Sequence, residues 1–275
     1  MQDKISLAGD LGSGKSTVSD ILLERLGAEY YSTGRIVRDI AEKRGMTVVE
    51  LNVYMETHPE IDHEIDDGLV ALSLDERFLI IDSRMAWHFT PDTFKVYLSC
   101  DIETSALRIM NANRVGEHAH SLEETIADTR ARRESERKRY MEQYGVDIKD
   151  LSNYSLVLDT TYGAPQKIAD ALIEAFEEWK RDKSYCRALL APERLNYADD
   201  VAEVPEVERL AAMLDLGEAI PEVTVFEEGG EFFVADGVES VLAYALNMED
   251  FVPARLIKKP ESLGDVKYVR MKNSL

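Results

Sequence analysis

Gly9, Asp10, Leu11, Gly12, Ser13, Gly14, Lys15 and Ser16 follow one another near the start of this chain and fit the spacing G-x-x-x-x-G-K-[ST]. They stand between an apolar run, Ile5–Ala8, that reads as a buried strand and a helical pattern opening at Gly14–Lys15. That pattern sets Val18, Ile21, Leu22 and Leu26 on one face. Glycines let the backbone wrap closely around an anion, because no Cβ stands in the way. Successive amide N–H groups and the helix N-terminus then favour negative charge, so the loop is a cradle for phosphate. Lys15 can reach the terminal phosphates of a nucleoside triphosphate, and the Ser16 hydroxyl is a hard-oxygen ligand suited to Mg²⁺. An accidental glycine-rich turn is the bland alternative, and eight matching residues in a strand-to-helix context weigh against it.

The elements around the loop follow an alternating order. Phe78–Ile81, Val96–Leu98 and Leu156–Leu158 read as further strands, with helices between them. Ile36–Arg44, Thr47–Glu56, Ile61–Asp75, Leu122–Tyr144 and Gln166–Lys180 carry helical patterns. Repeated strand–helix units predict an α/β fold with a parallel sheet flanked by helices over residues 1–180. The texture then changes. Residues 181–190 read as a linker, and residues 191–275 read as a second, smaller α+β domain. There Pro205–Leu214 and Val238–Leu246 are predicted helices, and Val223–Phe226, Phe232–Ala235 and Pro253–Ile257 are predicted strands. A length of 275 residues suits one large domain or two modest ones. No apolar run approaches the length of a membrane span, and no signal-peptide core opens the chain. Cys100 and Cys186 are too few for a disulfide framework. These features predict a cytoplasmic protein.

The net charge is −21, and both halves are acidic, so no domain offers the basic footprint that gripping nucleic acid requires. The basic residues that do cluster are therefore informative. Arg130, Arg132, Arg133, Arg137, Lys138 and Arg139 fall within ten positions. Arg38 follows Ser32, Thr33 and Gly34, and Asp82 and Arg84 stand at the carboxyl end of a predicted strand, where open α/β sheets bind ligands. Each has a bland reading: Arg38 as a surface residue, Asp82 with Arg84 as a local pair, and the cluster as a solvated face with Arg130/Glu134 and Arg132/Glu136 pairs. Phosphoryl transfer to an acceptor that is itself a phosphate favours the functional reading. Two polyanions must then approach to bonding distance, and cations have to offset their repulsion. A dianionic acceptor also needs no general base.

These residues resemble the cytidylate kinases, in particular their short form. The resemblance covers about residues 3–175 and rests on GDLGSGKSTVSDILLERLG, YSTGRIVRDIAEKRGM, PEIDHEID, FLIIDSRMAWHF and RARRESERKRYMEQYGVDIKDLSNYSLVLDT, in that order. It implies transfer of the γ-phosphate of ATP to CMP or dCMP with Mg²⁺. Gly9, Leu11, Gly12, Ser13, Gly14, Lys15, Ser16, Thr17 and Arg114 would then bind ATP. Ser32, Gly34, Arg38, Asp82, Arg84, Arg132, Glu136 and Arg139 would bind CMP. Lys15, Arg84, Arg130 and Arg133 would be catalytic, and Ser16 and, through water, Asp82 would serve the metal. The chain departs from the bacterial pattern Asp-Gly-Arg-Asp, since Met85 follows Arg84. A kinase of the same fold with another small acceptor (AMP, shikimate, dephospho-coenzyme A) stays open. So does a nucleotide-sensing interaction protein.

Residues 191–260 are similar to the ParB-like, sulfiredoxin-like fold in GGEFFVADGVESVLAYALNMEDFVPARLI. That family's Asp-Gly-His-His-Arg has become Asp236, Gly237, Val238, Glu239 and Ser240 here, so its phosphate-handling side chains are gone. The expectation is a regulatory or interaction module, with a protein partner or self-association through residues 181–275.

Overall fold

The computed structural model describes residues 3–112, 121–198, 203–261 and 267–271. Ile5–Gly9 forms β1, buried along its whole length as an inner parallel strand must be. Helix α1 (Lys15–Leu26) follows, then β2 (Glu29–Ser32), which leads without a break into α2 (Thr33–Arg44). The sequence pattern missed β2 because the strand is polar and lies at the edge of the sheet. It also placed the start of α2 three residues late. Ser32 caps α2 by accepting the Arg35 N–H at 3.4 Å. Helices α3 (Val48–Met55) and α4 (Pro59–Ser73) complete a helical lobe with α2, packed through Ala41, Leu51, Met55, Ile61 and Ile65.

Next come β3 (Leu79–Asp82), α5 (Ala86–Phe89), β4 (Phe94–Ser99), α6 (Ile102–Asn111) and α7 (Leu122–Tyr144). Then β5 (Leu156–Asp159) and α8 (Pro165–Arg181) close the first half. Strands β2, β3, β1, β4 and β5 pair in that order, all parallel. Val18 and Leu22 of α1 and Ile168, Leu172, Phe176 and Trp179 of α8 cover one face of this sheet.

Residues 181–190 are not a linker. They include β6 (Arg187–Leu190), which pairs parallel to β5 through Leu156–Arg187 and Leu158–Leu189. The strand escaped notice because it is four residues long and follows a polar turn, yet Ala188 and Leu190 are fully buried. The remaining elements are β7 (Leu195–Ala198), α9 (Val204–Asp215), β8 (Val223–Glu228), β9 (Glu231–Asp236), α10 (Val238–Leu246), β10 (Val252–Leu256) and β11 (Tyr268–Arg270). Strand β10 docks antiparallel on β6, and the sheet continues through β8, β9, β7 and β11 to eleven strands. One apolar core runs across the junction, joining Tyr97, Tyr154 and Val157 to Leu190, Leu195, Val225, Val252 and Ala254. Among the described residues no helix is long and apolar enough to cross a membrane.

A shared sheet and core predict that the two halves unfold as one cooperative unit. Both tryptophans, Trp87 and Trp179, lie in the first half. Leu190→Ala should therefore lower the stability read by tryptophan fluorescence in urea by about 2–5 kcal/mol, with far-UV circular dichroism following the same curve. Two separate transitions, with the fluorescence curve unmoved, would show that the halves fold independently.

Candidate active site

Parallel pairing brings the carboxyl ends of the strands to one edge of the sheet. In register, Asp82 of β3 lies beside Leu7 of β1 and Ser32 of β2, so the loop after β1 opens next to both polar residues. The loop is pressed against its neighbours. A Cβ on Gly9 would stand 2.4 Å from the Leu98 carbonyl oxygen, and one on Gly12 would stand 2.5 Å from that of Ser105. Both glycines also have positive φ, so any side chain there is strained as well as obstructed. Gly14 caps α1 with no side-chain acceptor, which leaves the helix N-terminus to a ligand.

Asp10 fastens the loop. Its carboxylate accepts from the Tyr97 hydroxyl at 2.8 Å, the Cys100 N–H at 3.0 Å and Lys149 Nζ at 2.5 Å, with Arg133 Nη2 at 3.6 Å. Burial alone would raise its pKa. Lys149, Arg133 and the hydrogen bonds outweigh burial and hold the carboxyl well below the usual range. Lys15 folds back on the same loop, donating to the carbonyls of Asp10 (3.0 Å) and Gly9 (3.3 Å). Its own burial and the nearby Arg84 guanidinium bring its pKa down to about 7.

A cleft runs from the loop to the helical lobe. It is lined by the loop from Leu11 to Ser16, by Ser32, Gly34 and Arg38, by Asp82 and Arg84, and by Arg132, Glu136 and Arg139. The cleft thus gathers every acceptor-side residue that the sequence pointed to. Arg84 donates from Nη1 to the Gly9 carbonyl and from Nε to Glu136 Oε2 at 2.8 Å. Arg132 Nε takes the other oxygen, Glu136 Oε1, at 3.1 Å. Burial would raise the Glu136 pKa, but Arg84 and Arg132 prevail and bring it down to about 2. Arg139 is buried with its Nε 2.9 Å from Asp62 Oδ2 and its Nη1 3.3 Å from the Asn52 carbonyl. Asp82 Oδ2 accepts from the Tyr30 hydroxyl at 2.8 Å and from Ser32 Oγ at 3.5 Å.

Not every expected residue reaches the cleft. Arg133 turns to the other side of the loop, toward Asp10 and Ser105, because its position on α7 is one residue round the helix from Arg132. Arg130 is exposed on the first half of α7 and does not line the cleft. Gly9 lies behind the loop, as the acceptor for Arg84, and Thr17 is exposed in the first turn of α1. Arg114 lies outside the described residues. Sequence reasoning also passed over Asp62 and Asp66, which line the cleft from α4. Burial pushes Asp66 up to about 6, against a hydrogen bond from the Tyr144 hydroxyl. The signal was present: Asp62 and Asp66 stand four positions apart, on one face of α4 beside the stripe of Ile61 and Ile65 that packs the lobe. Lys149 gave no such signal, since it comes from a loop.

Ser16 and Asp82 together offer a hydroxyl and a carboxylate to the cleft, a donor set that fits Mg²⁺ held chiefly by phosphate and water. Among the described residues no group of three or more His, Cys, Asp or Glu could hold an ion alone.

Comparison with known proteins gives this geometry a family. The family described as "AAA domain" matches residues 5–142. A cytidylate kinase of Thermoplasma volcanium is 34% identical over 193 residues, covering 68% of this chain and 98% of that protein. The chain belongs to the cytidylate kinase family. It is a P-loop nucleoside monophosphate kinase. The cytidylate kinase of Sulfurisphaera tokodaii is 36% identical over 174 residues, 62% of this chain and 93% of that protein. An S-adenosylmethionine-dependent nucleotide dehydratase of Lacinutrix mariniflava is 35% identical over 182 residues, 65% of this chain. The match takes up 37% of that dehydratase.

Anion binding in this cradle should recharge the buried lysine. Lys15 sits near its pKa of about 7 without ligand, and phosphate oxygens favour its charged form, so at pH 8 a nucleotide raises its pKa through the ambient pH. Calorimetry in buffers of different ionisation enthalpy should register uptake of about one proton per ATP at pH 8. Lys15→Arg, permanently charged, should abolish the uptake. An equal uptake in that variant would contradict the assignment.

Proposed function

We propose that the protein transfers the γ-phosphoryl group of Mg·ATP to the 5′-phosphate of CMP or dCMP, giving ADP and CDP or dCDP. The position of Arg84 carries this reading. Its guanidinium bonds at once to the Gly9 carbonyl of the donor loop and to Glu136 of the arginine-rich helix. It therefore stands where a donor γ-phosphate and an acceptor phosphate would meet. The amides of residues 12–17 and Lys15 hold the donor phosphates. Arg38 and Arg84 hold the acceptor phosphate, while Arg132, Glu136 and Arg139 form the acceptor's side of the cleft. Ser16 and, through water, Asp82 would hold Mg²⁺, which would neutralise phosphate charge.

An oxygen of the acceptor phosphate attacks the γ-phosphorus as its bond to the ADP oxygen breaks. No proton has to leave the attacking dianion, so the site needs no general base. The lysine and arginines do their work by holding two polyanions in line and stabilising the charge that develops between them. The two relatives' names support a cytidine nucleotide as acceptor. Residues 191–275, which lack the charged signature of ParB-like proteins, serve the kinase as a non-catalytic module in this reading.

A coupled assay of ADP release should show strong stimulation by CMP or dCMP over no acceptor, and little by AMP, shikimate or dephospho-coenzyme A. Arg84→Ala should leave ATP affinity within about threefold while lowering kcat/KM for the acceptor by about 100-fold or more, the scale of losing one transition-state donor. ATP binding with a flat acceptor panel would contradict the proposal and favour a nucleotide sensor.

A further inference from the structure

A buried ion pair links the second half to the kinase site. Arg194 lies in a short turn (Pro192–Arg194) between β6 and β7 and is fully buried, as is Asp159 at the end of β5. Arg194 Nε stands 3.6 Å from Asp159 Oδ1, and its Nη2 donates to the Gly230 carbonyl at 2.9 Å. Its Nη1 lies 3.5 Å from Glu231 Oε1. The Asp159–Arg194 contact is longer than a hydrogen bond, and Asp159 Oδ2, Arg194 Nε and Arg194 Nη1 have no hydrogen-bond partner. The two side chains are therefore joined by charge in a medium where an unpaired charge is costly.

What Asp159 holds is the wall of the phosphate loop. Its Oδ1 accepts from the Thr161 hydroxyl at 2.7 Å, and Thr161 Oγ1 in turn accepts the Asp101 N–H at 3.2 Å. Between them, Thr160 Oγ1 lies 3.0 Å from both the Ser13 and the Ser99 carbonyl oxygens, which share its single proton, and the Thr160 carbonyl accepts from Arg108 at 2.7 Å. The path from the second half to the loop is thus Arg194, Asp159, the turn 159–161 and Ser13.

We propose that Arg194 is a positioning residue for the donor nucleotide: its charge offsets that of the buried Asp159 carboxylate, and so the 159–161 turn stays packed against Ser13 of the phosphate loop. The second half thereby sets ATP affinity without touching ATP. The acceptor side, built from β2, β3 and α7, has no part in this path.

The test uses the full chain and reads ATP affinity directly by calorimetry, independently of which acceptor the enzyme uses. Arg194→Met, which keeps bulk and removes charge, should weaken ATP binding about tenfold, the scale of a residue acting through an intermediary. The KM for the acceptor should stay within about twofold of wild type. Arg194→Met combined with Asp159→Asn leaves no unpaired charge and keeps an oxygen for Thr161, so ATP affinity should return to within about threefold of wild type. Where Arg194→Met does not fold, Asp159→Asn alone serves in its place: it strands the guanidinium and should weaken ATP binding by a similar factor. A folded single variant with wild-type ATP affinity would overturn the proposal. Equal losses on the donor and acceptor sides, or no recovery in the double variant, would overturn it too.

Discussion

The carboxylate of Asp10 is the point at which the phosphate loop is fastened to its surroundings. A loop that presents its N–H groups to an anion has few of its own hydrogen bonds to spend on rigidity. Here one buried carboxylate gathers a backbone N–H from the end of β4, a phenol from the same strand, a lysine from the 146–150 segment and an arginine from α7. The donors come from three separate parts of the sequence, so the loop is held only once the fold around it has closed. The glycines do the complementary work: Gly9 and Gly12 let the loop lie directly on Leu98 and Ser105. Position and permissiveness together keep the cradle preorganised, which is what electrostatic catalysis requires.

The same economy governs the arginines. Several guanidiniums in one small cleft would repel each other and disorder in the absence of phosphate. Glu136 sits between Arg84 and Arg132, and Asp62 sits against Arg139, so each cation has a fixed partner before any nucleotide arrives. Burying these pairs contributes little net stability, because desolvation offsets most of the attraction. What they contribute is geometry. Arg38, exposed on α2, is the one acceptor-side arginine placed at the solvent side of the cleft.

Much of this was legible in the sequence, and the failures have physical reasons. The glycine loop was plain because its spacing is set by backbone conformation, and the long helices were plain because a 3.6-residue period persists over many turns. Asp82 and Arg84 could be placed because a strand's carboxyl end has a known function in open sheets. By contrast, β6 carries only two buried positions, Ala188 and Leu190, too few for a pattern to emerge, and β2 owes its existence to pairing with β3 rather than to its own residues. Arg132 and Arg133 look alike in sequence, and only the rotation of α7 sends one to Glu136 and the other to Asp10. Asp62, Asp66 and Lys149 join the site through tertiary packing alone. The supposed linker was the largest misreading, since it hid the fact that the second half shares a sheet and a core with the first.

The central claim is that a single cleft brings donor and acceptor phosphates onto one set of cations. Binding of adenosine and cytidine joined 5′ to 5′ by five phosphates, measured by calorimetry, tests it most directly. The account predicts that this compound binds at least tenfold more tightly than ATP and is displaced by ATP and by CMP alike. Binding no tighter than ATP, with displacement by ATP only, would contradict it.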